Sequence, residues 1–427
     1  MKNFDIVKAA MGVVYDETER FWTGKWNLLD EVQSQLQLPE NVTFLDTTLR
    51  EGGELPLVYY TVNQKIEIAR ALEEAGVSEI DCGFVSLSKD HFETLKVIKN
   101  AGLRIKTVAL TRLDAGNPES AIDFVVEAGA DVVLTCIYGV PIPGFRTEED
   151  YVNLIRESVR YTKNKGVFCS FWVPNQRWEP VFAEDLYKAA IQGGADRIEV
   201  AGSNCNGPTA FRVMVKRLKK IAGEKQVGLH CHNTMGTGTA CALIGIEAGA
   251  EVVHTSINGM SDGGGIAAFE EVVMALITQY RFFNLGIKLE KLRELSVMMR
   301  NITKHPLSPW KPIVGDTVFT ETSDSHLERN IAGRKTGVTE EENKAAWSVW
   351  GFMPETVGQK VKIIFGPSGL VGRGINAKAD EMGLELDDKA LERIKEVMKE
   401  RFSERGGLTE EEMKILIQEC VAEAANH

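Results

Sequence analysis

Two histidines separated by one residue, His230 and His232, are the pair in this sequence with the clearest capacity for chemistry. They end an apolar run, and alternate side chains of a β-strand point to the same face. Two imidazoles on one face are suited to binding a divalent metal ion. The chain has only 7 histidines, so this spacing favours a metal site over two structural histidines. Cys231 should point the opposite way and is not counted as a ligand.

An anionic ligand has to come from another strand. Glu51 follows an apolar run near the start of the chain and is the candidate third ligand. Arg50 beside it offers a planar guanidinium suited to a carboxylate or to a developing enolate oxygen. Two histidines and one carboxylate would leave coordination positions open for substrate oxygens and water.

Such residues need a scaffold that brings separate strand ends together. Four segments repeat a helix end, a glycine turn and an apolar strand, with the glycines at Gly76, Gly129, Gly194 and Gly249. They are spaced about two strand–helix units apart, so four further strands are expected between them. The eight expected strands are 42–49, 77–84, 104–111, 131–138, 166–173, 196–202, 226–232 and 251–258.

Strands that alternate with helical patterns form parallel sheets, and eight such units predict a closed (β/α)8 TIM barrel. Functional residues of this fold lie at the C-terminal ends of the strands. An open doubly wound sheet is the structural alternative. It would have a glycine-rich phosphate turn after its first strand, where this chain has TLREGG.

The expected organisation has three parts: an N-terminal helical extension over 1–41, the barrel over 42–310, and a linker with a mainly helical C-terminal subdomain over 311–427. The last part should close with two amphipathic helices. One is expected to start near Asp387 or Asp388, and the other at Thr409, where TEEE forms a capping box.

The bulk composition narrows the function classes. The net charge of −12 argues against a nucleic-acid partner, which needs a basic surface. Apolar runs are too short to span a membrane, and the N-terminus lacks a signal-peptide pattern. The 7 cysteines are scattered and favour buried free thiols. A cytoplasmic protein is therefore expected.

Four motifs carry a resemblance to a known family: DTTLREGG (46–53), EIDCGF (79–84), HCHNTMG (230–236) and NGMSDGGG…FEEV (258–272). They resemble the metal-dependent TIM barrels that condense or cleave acyl-CoA thioesters, among them isopropylmalate, homocitrate and citramalate synthases and hydroxymethylglutaryl-CoA lyase. The resemblance covers about 42–280 well and the tail more loosely. It implies that Arg50 is catalytic and that Glu51, His230 and His232 bind one divalent ion per chain, which could be Mn, Mg or Zn.

Other site residues follow from the same comparison. Asp81 falls where the family places an acidic residue near the substrate, and Ser203 ends the sixth strand. With Glu54, they are the candidate substrate-binding residues. The tail segment VFTETSDSHLE resembles the loop that carries a catalytic histidine in the synthases, which implies a general acid or base at His326.

The sequence also departs from the family pattern. Glu54 stands where glutamine is usual, and Ile266 stands where asparagine is usual. The strand-5 segment FWVPNQR (171–177) is apolar where an acidic pair is usual, and Phe352 replaces a tyrosine of some synthases. The metal ligands are intact, so these changes indicate a different substrate pocket.

The resemblance implies an acyltransferase that joins an acyl-CoA to a 2-oxo acid and hydrolyses the thioester. The tail, including GPSGLVG, resembles that of the synthases and favours condensation, because the lyases largely lack it. A metal-dependent lyase or aldolase that breaks the same kind of bond is the first alternative, and a non-catalytic barrel subunit is the second. The tail also implies a homodimer acting on small molecules.

Overall fold

A computed structural model of the protein describes residues 12–16, 18, 20–138, 142–145, 147–335 and 350–425. The chain forms two units. One is Trp26–Pro306, and the other combines the described residues of Met1–Lys25 with those of Leu307–His427.

The larger unit is built on a closed ring of eight parallel strands. Strand β8 pairs with both β7 and β1, which closes the ring. The barrel expected from the repeated glycine turns is therefore confirmed. The strands are β1 (Thr43–Asp46), β2 (Glu79–Phe84), β3 (Lys106–Arg112), β4 (Val132–Cys136), β5 (Phe168–Val173), β6 (Arg197–Ala201), β7 (Gln226–His230) and β8 (Val252–Thr255).

Helices follow every strand and lie outside the ring. In order they are Val62–Ala75, Lys89–Asn100, Pro118–Glu127, Glu148–Asn164, Pro180–Gly193, Pro208–Ala222, Gly238–Glu247 and Phe269–Tyr280, with Leu292–Thr303 added at the end. The first shows how local sequence sets the ends. Thr61 and Gln64 form a capping box at its start, and Gly76 ends it at φ 98°, a left-handed conformation that suits glycine.

The barrel interior has two chemically different halves. One half is apolar and packs side chains of β1, β3, β4 and β8 into one cluster, including Leu45, Val108, Leu134 and Val252. The other half holds fully buried charge, with Arg197 and Glu199 of β6 both at 0% exposure. Buried charges require close partners, so this half is where polar chemistry can be organised.

The second unit has its own apolar core, which includes Leu327, Phe365, Ile375 and Met398. A small sheet joins Thr320–Glu321, Lys362–Phe365 and Leu408–Thr409. Its helical elements are Asp324–Lys335, Pro354–Val357, Pro367–Val371, Arg373–Glu381, Asp388–Arg405 and Glu410–Ala425. The mainly helical subdomain is confirmed, and so are both closing helices. Asp387 caps one, and Thr409 with Glu412 forms the capping box of the other.

The segment 1–41, expected to be a helical extension, also contains two short strands. Val13–Tyr15 and Trp22–Gly24 form an antiparallel pair of strands. Among the described residues of this segment, helical turns are found at Lys25–Leu28 and Asp30–Gln33. The β-branched and aromatic residues of these strands favour extended backbone, and Trp22 N donates to the carbonyl oxygen of Gly351. The part of the prediction that falls on 1–11, 17 and 19 lies outside the described residues.

Two further properties bear on the sequence expectations. Among the described residues, no helix is both long and apolar enough to cross a membrane. Six of the cysteines are buried free thiols, as expected, but Cys205 is exposed within the loop that follows β6.

Candidate metal and substrate site

Glu51, His230 and His232 converge at the C-terminal end of the barrel. His230 is the last residue of β7, and His232 lies two residues further along on the same face. Glu51 follows β1, which is separated from β7 only by β8 in the ring. The predicted juxtaposition of these three side chains is therefore what the fold produces, and one donor atom from each lies within 4.8 Å of the other two.

The spacing of the donor atoms fits a metal ion. His230 Nε2 lies 3.2 Å from His232 Nε2 and 3.2 Å from Glu51 Oε1. Donors about 2.1 Å from one ion are about 3.0 Å apart in an octahedron and about 3.4 Å apart in a tetrahedron. Burial lowers the pKa of His230 to about 4, so its imidazole is neutral and able to bind a cation.

Arg50 is fixed beside this group. It is only 7% exposed, and its Nε donates to Asp81 Oδ2 at 2.6 Å. Its Nη1 contacts Glu51 and lies 3.9 Å from Glu54 Oε1. Burial opposes ionisation of Glu51, but the charge of Arg50 outweighs it and holds the pKa of Glu51 well below its ordinary value. The third ligand candidate is therefore an anion.

A cavity of about 380 Å³, here called the mouth cavity, opens at these residues. Its polar wall includes Arg50, Glu51, His230 and His232. The opposite wall is aromatic and aliphatic: Tyr138 and Trp172 pack edge to face with ring centroids 4.7 Å apart, beside Leu110 and Leu134. The cavity can hold a small molecule with one charged or polar end and one apolar end.

The three predicted substrate-binding residues have different surroundings. Glu54 lines the mouth cavity, and burial together with the charge of Glu51 raises its pKa to about 7. Asp81 is 1% exposed and lies behind Arg50, where it also accepts from Gly83 N. Ser203 is buried, and its hydroxyl donates to the carbonyl oxygen of His232 at 3.0 Å. Asp81 and Ser203 therefore hold other site residues in place in this geometry.

Sequence reasoning missed two contacts of the metal-ligand group. Ser261 Oγ donates to Glu51 Oε2 at 2.6 Å, so this carboxylate is oriented from two sides. His254 of β8 lies with its Nδ1 3.2 Å from Nδ1 of His230. Ser261 stands in the motif NGMSDGGG, which could have indicated the first contact. His254 stands on the strand next to the ligand pair, which could have indicated the second. Ile266 is 1% exposed and pairs through its backbone with His232, so its side chain brings no donor to the group.

His326 belongs to the second unit. It lies in the first turn of helix Asp324–Lys335, and its Nδ1 is 2.8 Å from Glu321 Oε2. The side chain of His326 is 30% exposed. A carboxylate on Nδ1 fixes the ring and leaves Nε2 for other contacts, which is an arrangement used in acid–base catalysis.

Comparison with known proteins supplies the family. Residues 41–299 match the model of the HMGL-like family, which is more than half of the chain. The chain belongs to the HMGL-like family. Among its HMGL-like relatives, homocitrate synthase AksA of Methanocaldococcus jannaschii is 32% identical over 406 residues, which cover 93% of this chain and 95% of that protein. A probable 2-isopropylmalate synthase of Ignicoccus hospitalis is 30% identical over 390 residues, with 90% and 94% covered.

Solved structures agree with this HMGL-like fold. The HMG-CoA lyase of Bacillus subtilis superposes with a TM-score of 0.53 and 16% identity, over 63% of this chain and 96% of that one. At this identity the likeness concerns the fold alone.

Proposed function

We propose that the protein condenses an acyl-CoA with a 2-oxo acid and hydrolyses the thioester. The observation that carries the proposal is the convergence of Glu51, His230 and His232 beside a fixed Arg50. The synthase names of relatives that align with nearly the whole chain support condensation over cleavage. A cytoplasmic location belongs to the same proposal. The assay described below determines which acceptor acid and which metal the protein uses.

The residues divide the chemistry as follows. A divalent ion held by Glu51, His230 and His232 would polarise the carbonyl of the 2-oxo acid as a Lewis acid. The Arg50 guanidinium faces the mouth cavity and stabilises the enolate oxygen of the acyl donor as charge develops there. Its bond to Asp81 keeps the guanidinium in one orientation before substrate binds, so little reorganisation is needed during the reaction.

The apolar wall of the mouth cavity supports a particular kind of acceptor. Tyr138 and Trp172 present ring surface, and the strand-5 segment has Pro174 and Gln176 on the cavity in place of the usual acidic pair. An apolar side chain of the 2-oxo acid gains free energy by leaving water against these rings, at about 25 cal/mol per Å² buried. We therefore place the carboxylate end at the metal and the apolar end at Trp172.

A release assay for free coenzyme A tests this proposal directly. The full chain would be incubated with Mn²⁺, Mg²⁺ or Zn²⁺ and each pair from a panel of acyl-CoAs and 2-oxo acids. We expect thiol release that needs both substrates, and faster release with apolar than with dicarboxylic acceptors. Absence of release with every pair, combined with cleavage of 3-hydroxyacyl-CoA compounds, would support the lyase alternative.

The second unit is expected to contribute His326 to catalysis. Replacing His326 by alanine should lower turnover by about 10²–10⁴-fold, as for loss of a general acid or base, without changing metal content, because the metal ligands all belong to the barrel. The measurements are turnover in the release assay and metal per chain. Ser325→Ala, on the same helix, is the matched control and should retain activity. Wild-type turnover in His326→Ala would exclude a catalytic part for this histidine.

We also propose a homodimer. In the synthases that the sequence resembles, the tail of one subunit can serve the barrel of the other. Complementation tests this idea, since mixing inactive His326→Ala with inactive Arg50→Ala subunits should restore part of the activity if sites are shared. A monomer in light scattering at assay concentration would contradict it.

A further inference from the structure

A row of buried polar side chains crosses the barrel interior and ends on a metal-ligand candidate. Arg197 and Glu199 lie on β6, His230 on β7 and His254 on β8. Arg197 Nε is 2.6 Å from Glu199 Oε1, and His254 Nε2 is 3.0 Å from Glu199 Oε2. His254 Nδ1 is in turn 3.2 Å from His230 Nδ1. The exposed fraction of these residues is 6% or less, so water does not replace their mutual contacts.

The hydrogen-bond direction at one end of the row is determined by Glu199. Burial opposes ionisation of this carboxyl, but Arg197 outweighs it and lowers the pKa of Glu199 to about 2. An ionised carboxylate can only accept hydrogen bonds. Its Oε1 accepts from Arg197 and from Ser170 Oγ, the latter at 2.7 Å. Its Oε2 faces His254 Nε2, which has to be the donor.

The direction is then transmitted along the row. Because Glu199 takes the ring hydrogen of His254 at Nε2, the Nδ1 of His254 is available as an acceptor. The facing Nδ1 of His230, 3.2 Å away, can then donate its ring hydrogen to His254. His230 is then left with a lone pair on Nε2, on the side of Glu51 and His232.

We propose that Glu199 and His254 are positioning residues that fix the tautomer of His230, so that Nε2 is held ready for the metal. The proposal rests on the metal site of the proposed function, and it assigns work to two residues outside the ligand set. Carboxylates and histidines that support a metal-binding histidine typically change metal affinity when they are replaced.

The backbone of β7 makes room for this arrangement. Gly228 pairs with Glu199 across the β6–β7 ladder. A Cβ atom at position 228 would lie 1.6 Å from Glu199 Oε2, the oxygen that His254 contacts. This residue is part of a strand, where glycine is otherwise disfavoured. The buried carboxylate therefore requires a glycine at position 228. Substitution of this glycine is a way to move Glu199 without removing its charge.

Metal affinity tests the proposal independently of turnover. The full chain would be stripped with a chelator and titrated with Mn²⁺ by calorimetry. We expect Glu199→Gln and Gly228→Ala to raise the Kd by about 10–100-fold. A glutamine can turn its NH₂ toward His254 and reverse every donor in the row. Thr135→Val is the control: it removes a different buried hydrogen bond of the barrel, from Thr135 Oγ1 to the Ser170 carbonyl, and should change the Kd less than twofold.

A spectroscopic measurement on the protein without substitutions tests the proposal even if the variants fail to fold. Histidine labelled with ¹⁵N distinguishes the two neutral tautomers by their nitrogen shifts, and His230 should carry its hydrogen on Nδ1. A hydrogen on Nε2 of His230 would overturn the proposal, and so would an unchanged Kd in folded Glu199→Gln. If the tautomer and the Kd behave as expected while no substrate pair releases coenzyme A, the proposed reaction fails and the positioning role stands.

Discussion

Replacing His230 and His232 together by alanine is expected to reduce bound divalent metal from about one ion per chain to background. Glu51 would be the one ligand of the three that remains. A single carboxylate binds a divalent ion too weakly to compete with hydration of that ion. The two imidazoles provide both nitrogens of the group, 3.2 Å apart. Elemental analysis after dialysis against a metal buffer measures the content, and turnover should disappear with it.

The matched control for this experiment is His305→Ala. His305 belongs to the same unit, and its Nε2 contacts the carbonyl oxygen of Pro56. It should keep full metal content, which shows that loss of a histidine alone is harmless. Full metal content in the double variant would show that the ion binds elsewhere, and the ligand assignment would then fail. Thermal melting with and without added Mn²⁺ gives a second readout, since a bound ion stabilises only the folded state that holds it.

Arg50→Ala is expected to lower kcat by about 10²–10³-fold with a much smaller change in KM, because the guanidinium is needed where charge appears in the transition state. Arg50→Lys should recover only part of the rate. An ammonium is a point charge and cannot reproduce the fork that reaches Asp81 and Glu51 together. Steady-state rates over both substrates give the two constants. A rise in KM with unchanged kcat would instead assign Arg50 to ground-state binding.

Arg50→Ala also disturbs the structure around Arg50, and the experiment has to distinguish this effect from the loss of catalysis. Removing Arg50 leaves Asp81 and Glu51 buried without their cation, and it raises the pKa of Glu51 because the charge of Arg50 is the largest of the effects that lower it. Both effects reduce stability and metal affinity. In the double variant Arg50→Ala with Asp81→Asn, one buried charge is neutralised. Recovery of the melting temperature and metal content without recovery of turnover would attribute the loss to catalysis.

The barrel could be predicted because its signals are local and repeated. Gly129 and Gly249 end helices with φ values of 92° and 102°, and each precedes an apolar strand. The spacing of His230 and His232 places them on one face of a strand whatever the rest of the fold does. Glu51 could be added once a closed ring was assumed, since a ring brings β1 close to β7.

The sequence could not predict contacts that depend on the packing of non-adjacent strands. His254 and Glu199 meet across the barrel interior, and neither stands in a motif that predicts it. Nor did the sequence predict the contact of Asp81 with Arg50, which provides the carboxylate that a buried guanidinium requires. The strands at Val13–Tyr15 and Trp22–Gly24 pair with each other and have three residues each, which is too few for an alternating pattern to be recognised.

Cys205 offers a practical route to equilibrium measurements on this protein. It is the exposed thiol of the chain, whereas the other six are buried, and its neighbour Asn204 lines the mouth cavity. Alkylating reagents need access to sulfur, so a maleimide dye should attach there alone in the folded protein. Placed one residue from the cavity wall, the dye would report the filling of the cavity through its emission. Binding isotherms for a metal, an acid or a thioester could then be recorded separately, with no turnover required.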